Sequence, residues 1–198
     1  MPRGGDVPAV ALTGGDVPLD RTRVDQDDEA AWLPAARRGE TWALECMYRV
    51  YRPLVRRVCY RLLDDADDAD DATQAAFIQA FRGVRGFRGE CALKTWLYRI
   101  AVNEAVSLRR KRHAGVPWEG ESCAPPPGDP APVVAERLVV QAAMARLRPD
   151  HRAVLVLRYW EDLSYREIAD VLGVSMPAVK MRLSRAKVEF LARYEEGP

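Results

Sequence analysis

The sequence predicts an all-α protein made of two small helical domains joined by a Pro-rich linker. Three observations carry that prediction. Apolar residues recur at spacings of three and four in both halves of the chain, the pattern of helices with one buried face. No stretch alternates apolar and polar residues as a half-buried strand does. Between the halves, Pro117, Pro125, Pro126, Pro127, Pro130 and Pro132 stand among few apolar residues, the composition of a semi-rigid spacer. A chain of 198 residues accommodates two such domains, each with a thin core.

Residues 1–25 carry Gly4, Gly5, Gly14 and Gly15 without apolar periodicity and read as a disordered tail. The tail lacks a basic start followed by an apolar run, so it is not a secretion signal, and a cytoplasmic location is expected. From Glu29, Trp32 and Ala36 mark a first helix. After Gly39 a second carries Ala43, Met47, Val50, Tyr51, Leu54, Val58 and Leu62 on one side, with Pro53 expected to kink or split it. A third opens in the Asp run, where carboxylates meet the positive end of the helix dipole, and continues through Ala72, Ala76, Phe77 and Phe81. Gly83, Gly86 and Gly89 predict a flexible loop. The fourth helix spans about 92–111, with Leu93, Leu97, Ile100, Ala105 and Leu108 as its core stripe. These elements define a first domain over 26–112. After the linker, 113–132, a second domain over 133–198 holds helices at 133–147, 152–160, 165–172 and 176–194.

The formal charge of +1 conceals a segregation. Asp64, Asp65, Asp67, Asp68, Asp70 and Asp71 predict an acidic surface, and the stretch from Arg82 through Arg88, Lys94, Arg99, Arg109, Arg110, Lys111 and Arg112 predicts a basic one. Cys46, Cys59, Cys91 and Cys123 form no CxxC pair and His113 and His151 stand far from ligand spacing, so reduced structural thiols and no metal are expected. No register of the Asp run supplies the Gly and Glu of a calcium loop. The longest aliphatic run, 153–157, is far short of the roughly 20 residues that span a bilayer. No nucleophile with a base, phosphate-binding Gly loop or metal constellation is present, so an enzyme is not expected and no cofactor is implied.

Two motifs point to DNA. Ser164, followed by Glu167, forms a capping box that opens a short helix with Ile168, Ala169 and Leu172 inward. Gly173 supplies a turn, and Ser175 caps the next helix with Pro177 in its first turn. That helix buries Val179, Leu183, Ala186 and Phe190 and offers Lys180, Arg182, Ser184, Arg185 and Lys187 to phosphates and base edges in a major groove. On the fourth helix of the first domain, Trp96, Arg99, Asn103, Val106 and Arg110 form a second stripe that combines stacking, charge and hydrogen bonding, as capture of unpaired bases requires.

In order and spacing these blocks resemble an RNA polymerase sigma factor of the ECF (extracytoplasmic function) group of the sigma-70-type family. The run Asp70-Asp71-Ala72-Thr73-Gln74-Ala75-Ala76-Phe77 is similar to the segment that docks on core RNA polymerase, which implies contacts by Asp70, Asp71, Gln74 and Phe77. Phe87-Arg88-Gly89 with Thr95-Trp96-Leu97-Tyr98-Arg99-Ile100-Ala101 and Asn103 resembles the segment that melts and reads the minus-10 element. The resemblance implies base capture by the loop at 87–91 with Trp96, Arg99 and Asn103, and phosphate contacts by Lys94, Arg109, Arg110 and Arg112. Leu163-Ser164-Tyr165 with Glu167-Ile168-Ala169, and Arg182-Leu183-Ser184-Arg185-Ala186, resemble the region that binds the minus-35 element, implying Ser175, Met176, Ala178, Lys180, Met181, Arg182, Ser184, Arg185 and Lys187 as its readers. Ser107, Ala178 and Met181 depart from the usual acidic, Thr and polar residues, a difference that bears on promoter preference. The implied partners are the beta and beta-prime subunits of core polymerase, promoter DNA and an anti-sigma factor, with no membrane insertion. The rival reading is a stand-alone helix-turn-helix regulator that binds duplex DNA without polymerase, which leaves the aromatic and basic fourth helix without a purpose.

Overall fold

The structure, a computed structural model, describes residues 28–112 and 132–197, with side chains over 28–111 and 138–197. The predicted tail and most of the linker, with His113 and Cys123, lie outside the described residues. Within them the chain is helical throughout: α1 (Glu29–Arg38), α2 (Thr41–Leu63), α3 (Ala66–Gly83), α4 (Leu93–Arg112), α5 (Pro132–Ala145), α6 (Pro149–Tyr159), α7 (Tyr165–Leu172) and α8 (Met176–Glu195), with a 3₁₀ turn at Val84–Gly86 between α3 and α4. The all-α expectation holds, and no strand occurs among the described residues.

Local chemistry fixes several boundaries. Gly39 ends α1 with φ of 84°, a left-handed cap that Gly adopts without steric cost. Asp65 caps α3, its carboxylate accepting from the Asp68 amide at 2.8 Å, so the Asp run does open this helix. Pro53 neither splits nor ends α2, which continues through it for 23 residues. The missing N–H costs one backbone bond. Burial on one face spans the proline, with Cys46, Met47 and Tyr51 before it and Val55, Val58, Cys59 and Leu62 after it, and holds both halves in register.

The first core gathers Trp32, Met47, Tyr51, Val55, Phe77, Val84, Leu93 and Leu97 from α1 to α4. The second is not confined to the second domain. Val58 and Leu62 of α2 and Tyr98, Val102 and Ala105 of α4 pack with Leu147, Leu155, Leu157, Leu163, Ile168 and Val179 in one continuous apolar cluster. The two domains therefore share a core, with α7 laid against α4 and α6 against α2. For this reason α4 is buried on more than its predicted stripe: Tyr98, Val102 and Arg109 are covered in addition to Leu93, Leu97 and Ala105.

The acidic surface is smaller than predicted. Asp68 is buried, and Asp64, in the left-handed region with φ of 63°, accepts a hydrogen bond from Gln141 of α5 at 2.8 Å. Asp65, Asp67, Asp70 and Asp71 remain exposed.

Candidate nucleic-acid interface

Three surfaces hold the predicted site residues. The first lies on α2 and α3. Asp71 and Gln74 are exposed, whereas Phe77, predicted to contact polymerase, is 2% exposed and packs edge-on against Tyr48 with ring centroids 4.8 Å apart, beneath the surface rather than on it. The residues that do reach solvent beside it are Ile78 and Tyr48. Tyr48 continues into an open groove with Leu44, Pro53 and Phe81 on its walls and Arg52 at its edge. Asp70 is held by Arg56 at 2.7 and 3.0 Å, and this hydrogen bond keeps its carboxyl below the usual carboxylate range.

The second surface surrounds the start of α4. After the 3₁₀ turn the chain runs through Phe87 to Cys91 and enters α4, bringing Phe87 and Trp96 together at 5.4 Å between ring centroids. Both rings are nearly covered, and Gly83 makes room for the indole: a Cβ there would stand 3.1 Å from Trp96 Cζ2. The two rings, with Arg88, Glu90, Cys91 and Arg99, wall a cavity of about 230 Å³ whose basic residues are exposed. An aromatic floor with cationic walls suits a single unstacked base with its phosphate. Cys91 lines this cavity with its thiol pushed up by burial, and Cys59 is pushed up to about 11, also by burial, so neither is poised as a thiolate.

The other predicted minus-10 residues lie elsewhere on α4. Asn103 and Arg110 are exposed, Asn103 seven residues beyond Trp96, about 10 Å along the axis, and outside the cavity. Lys94 is half-buried with its ammonium 5.5 Å from the Tyr98 ring centroid. Arg109 is turned inward: it donates to the Leu62 carbonyl at 2.5 Å and to the Ala145 carbonyl at 2.9 Å, tying α4 to the end of α5, and in this arrangement it does not face solvent. The sequence pattern placed it beside Arg110 on a basic surface; the second domain covers it.

The third surface is α7 with α8. The predicted capping box is present: Ser164 Oγ accepts from the Glu167 amide at 3.3 Å, and Glu167 Oε2 accepts from the Ser164 amide at 2.8 Å. Gly173 turns the chain at φ of 64°, and Ser175 caps α8 by accepting from the Ala178 amide at 3.4 Å. Val179, Leu183 and Ala186 are buried, while Ser175, Met176, Lys180, Met181, Ser184, Arg185 and Lys187 are exposed in a continuous basic and apolar face. Ala178 and Arg182 are half-buried at its margin. Such a helix, entered from a tight turn with a free polar face, has the form of a major-groove reader. Among the described residues no cluster of His, Cys, Asp and Glu fits a metal, and no helix is long and apolar enough to cross a membrane.

Comparison with known proteins decides the family. Residues 47–114 match the family Sigma-70 region 2 and residues 137–190 match Sigma-70, region 4. The RNA polymerase sigma-H factor of Pseudomonas aeruginosa is 30% identical over 176 residues, covering 82% of this chain and 91% of that protein. The chain is an ECF sigma factor. The ECF sigma factor SigW of Bacillus subtilis is 27% identical over 169 residues, 78% of this chain and 90% of its own. Among solved structures, CnrH, determined with the cytosolic domain of CnrY, shares the fold with a TM-score of 0.64 at 23% identity, over 86% of this chain and 99% of its own. In this ECF sigma factor the aromatic cavity and the groove from Tyr48 onward fall inside the region 2 match, and α7 with α8 as far as Phe190 falls inside the region 4 match.

The sequence pattern did not reveal Glu161, Arg57, Arg61 or Arg152. Each joins the two domains across long sequence separations.

Proposed function

We propose that this ECF sigma factor divides promoter recognition among its three surfaces. The α2 and α3 face, with Asp71, Gln74, Ile78 and Tyr48, docks on core RNA polymerase, whose beta and beta-prime subunits are the partners. Strand separation at minus-10 is stabilised when an unpaired base enters the cavity walled by Phe87 and Trp96, with Arg88 and Arg99 on its phosphates and Asn103 and Arg110 tracking the strand beyond it. The exposed face of α8 reads the minus-35 duplex, where Met181 and Ala178 favour thymine methyl groups over hydrogen-bonding edges.

The single observation that supports this reading best is that one chain carries two surfaces of different chemistry. The aromatic cavity on α4 suits single strands and the polar helix α8 suits duplex DNA. A stand-alone duplex regulator needs only the second. The sigma factor RpoE of Bartonella quintana is solved in complex with the anti-sigma factor NepR, and by analogy an anti-sigma factor is proposed as a partner here. Action on polymerase and promoter places the chain in the cytoplasm.

The test is to mix the purified full chain with core RNA polymerase and separate by size. Co-elution in a one-to-one complex that initiates at specific sites supports the reading. Absence of co-elution, with duplex footprinting by the free chain, overturns it in favour of the stand-alone regulator.

A further inference from the structure

An open groove of about 810 Å³ runs along α2 beside the end of α3. Leu44, Tyr48, Pro53 and Phe81 supply its apolar lining. Arg49 and Arg52 stand toward its Pro53 end, the Arg52 guanidinium 6.0 Å from the Tyr48 ring centroid, and Glu45 stands toward the opposite end at Thr41. Tyr48 is 39% exposed although its ring packs on Phe77 and lies 6.5 Å from that of Phe81. Aromatic grooves are docking sites for proline-containing segments, because such a segment is already extended and loses little freedom on binding.

The chain carries such a segment twice. Gly4-Gly5-Asp6-Val7-Pro8 recurs unchanged as Gly14-Gly15-Asp16-Val17-Pro18, and the second copy continues into Leu19 and Asp20. Each copy joins a proline to an acidic residue, and the second adds a large apolar residue and another carboxylate, the complement of an apolar groove with arginines at its edge. The repeat lies outside the described residues, but the point from which it departs is fixed. The Glu29 carboxylate accepts a hydrogen bond from the Tyr51 hydroxyl, so α1 begins beside Tyr51. From there Tyr48 is roughly 4.5 Å along the helix axis and Thr41, at the far end of the groove, roughly 15 Å. The stretch from Pro18 to Asp28 spans up to roughly 33 Å when extended, so the second copy reaches every part of the groove.

We infer that the repeated Gly-Gly-Asp-Val-Pro segment is a ligand for this groove within the same chain. Val17, Pro18 and Leu19 lie against Leu44, Tyr48 and Phe81, with Asp16 and Asp20 toward Arg49 and Arg52. A short tether holds a ligand at an effective concentration in the mM range, so the chain's own segment outcompetes a second copy of the chain at ordinary protein concentrations. Tyr48 also belongs to the face proposed to dock core polymerase, so the segment and polymerase exclude each other from it. That consequence rests on the proposed function; occupancy of the groove in the free chain does not.

The experiment places a photoreactive benzoylphenylalanine at Leu19 of the full chain and reads cross-linked peptides by mass spectrometry. Cross-links should concentrate on 41–53 and Phe81. They should fall at least about fivefold when D6K, D16K and D20K are combined, because like charges then meet at the groove edge, and return when R49E and R52E are added to the same chain. Raising salt from about 0.05 to about 0.5 M should lower the yield without any substitution, which keeps the test independent of how the variants fold. Cross-links spread over the whole surface, or a groove signal indifferent to both charge reversal and salt, overturn the proposal. In a mixture of isotopically heavy and light chains, cross-links that join heavy to light overturn it in favour of a second copy. Core polymerase should remove the groove cross-links. A chain that binds polymerase and keeps them overturns the exclusion, while failure to bind at all counts against the proposed function and leaves the free-chain cross-links to decide the docking.

Discussion

Single residues set how firmly each surface is presented. Ser164 satisfies an otherwise unpaired amide at the start of α7, and Ser164→Ala should cost about 1 kcal/mol, read as a lowered midpoint in urea denaturation with unchanged slope. Glu161 responds to pH in a defined direction. Burial opposes its charge, but hydrogen bonds from Arg57 and Tyr98 and the charges of Arg57 and Arg61 outweigh burial and hold its carboxyl below the ordinary value of 4.5. A depressed carboxylate stabilises the fold fully above the unfolded value and loses that contribution as pH falls through the lower folded one. The facing groups, two arginines and a tyrosine whose hydroxyl is pushed up by burial and by Glu161, do not titrate there. Thermal melts of wild type and E161Q should therefore differ most above the ordinary carboxylate range and converge progressively as the pH falls below it. A constant difference down to pH 3 would remove the charged carboxylate from the account.

At the scale of elements, α4 and α8 make separable contributions. Lys180 and Arg185 stand on the exposed face of α8 and meet phosphates or base edges in the proposed complex. Replacing Lys180 with Ala should weaken promoter binding by polymerase holoenzyme across sequences and reduce the slope of log affinity against log salt by about one, whereas replacement at a base-reading position such as Arg185 should relax preference at one minus-35 position. Trp96→Ala acts differently. It removes both the wall of the base cavity and a ring packed on Phe87, so it should lower stability by about 3 kcal/mol or more and abolish permanganate reactivity of minus-10 thymines while leaving polymerase association intact. The elements were largely legible in the sequence because their determinants are local. The capping box at Ser164 and Glu167, the left-handed Gly173 and the three-four spacing of Val179, Leu183 and Ala186 are each read within a dozen residues. Continuity of α2 through Pro53 was not legible, since it depends on burial contributed by four other helices, α1, α3, α4 and α6.

At the scale of the whole molecule, the packing of one domain on the other was absent from the sequence reading. Arg57 and Glu161 are 104 positions apart, and no periodicity links them. Tyr98 stood in the segment that resembles the minus-10 reader, and Arg109 in a basic run; both serve the contact between domains. What the sequence did hold was the division into two helical parts, which the matches to regions 2 and 4 uphold.

The most direct test of the central claim is initiation by reconstituted holoenzyme on a library randomised over the upstream sixty base pairs, with wild-type chain compared against Arg185→Ala and Arg88→Ala. Two separated sequence blocks are expected, the upstream one degraded by the α8 substitution and the downstream one by the cavity substitution; a single block, or the same change from both substitutions, would contradict a promoter reader divided between two domains.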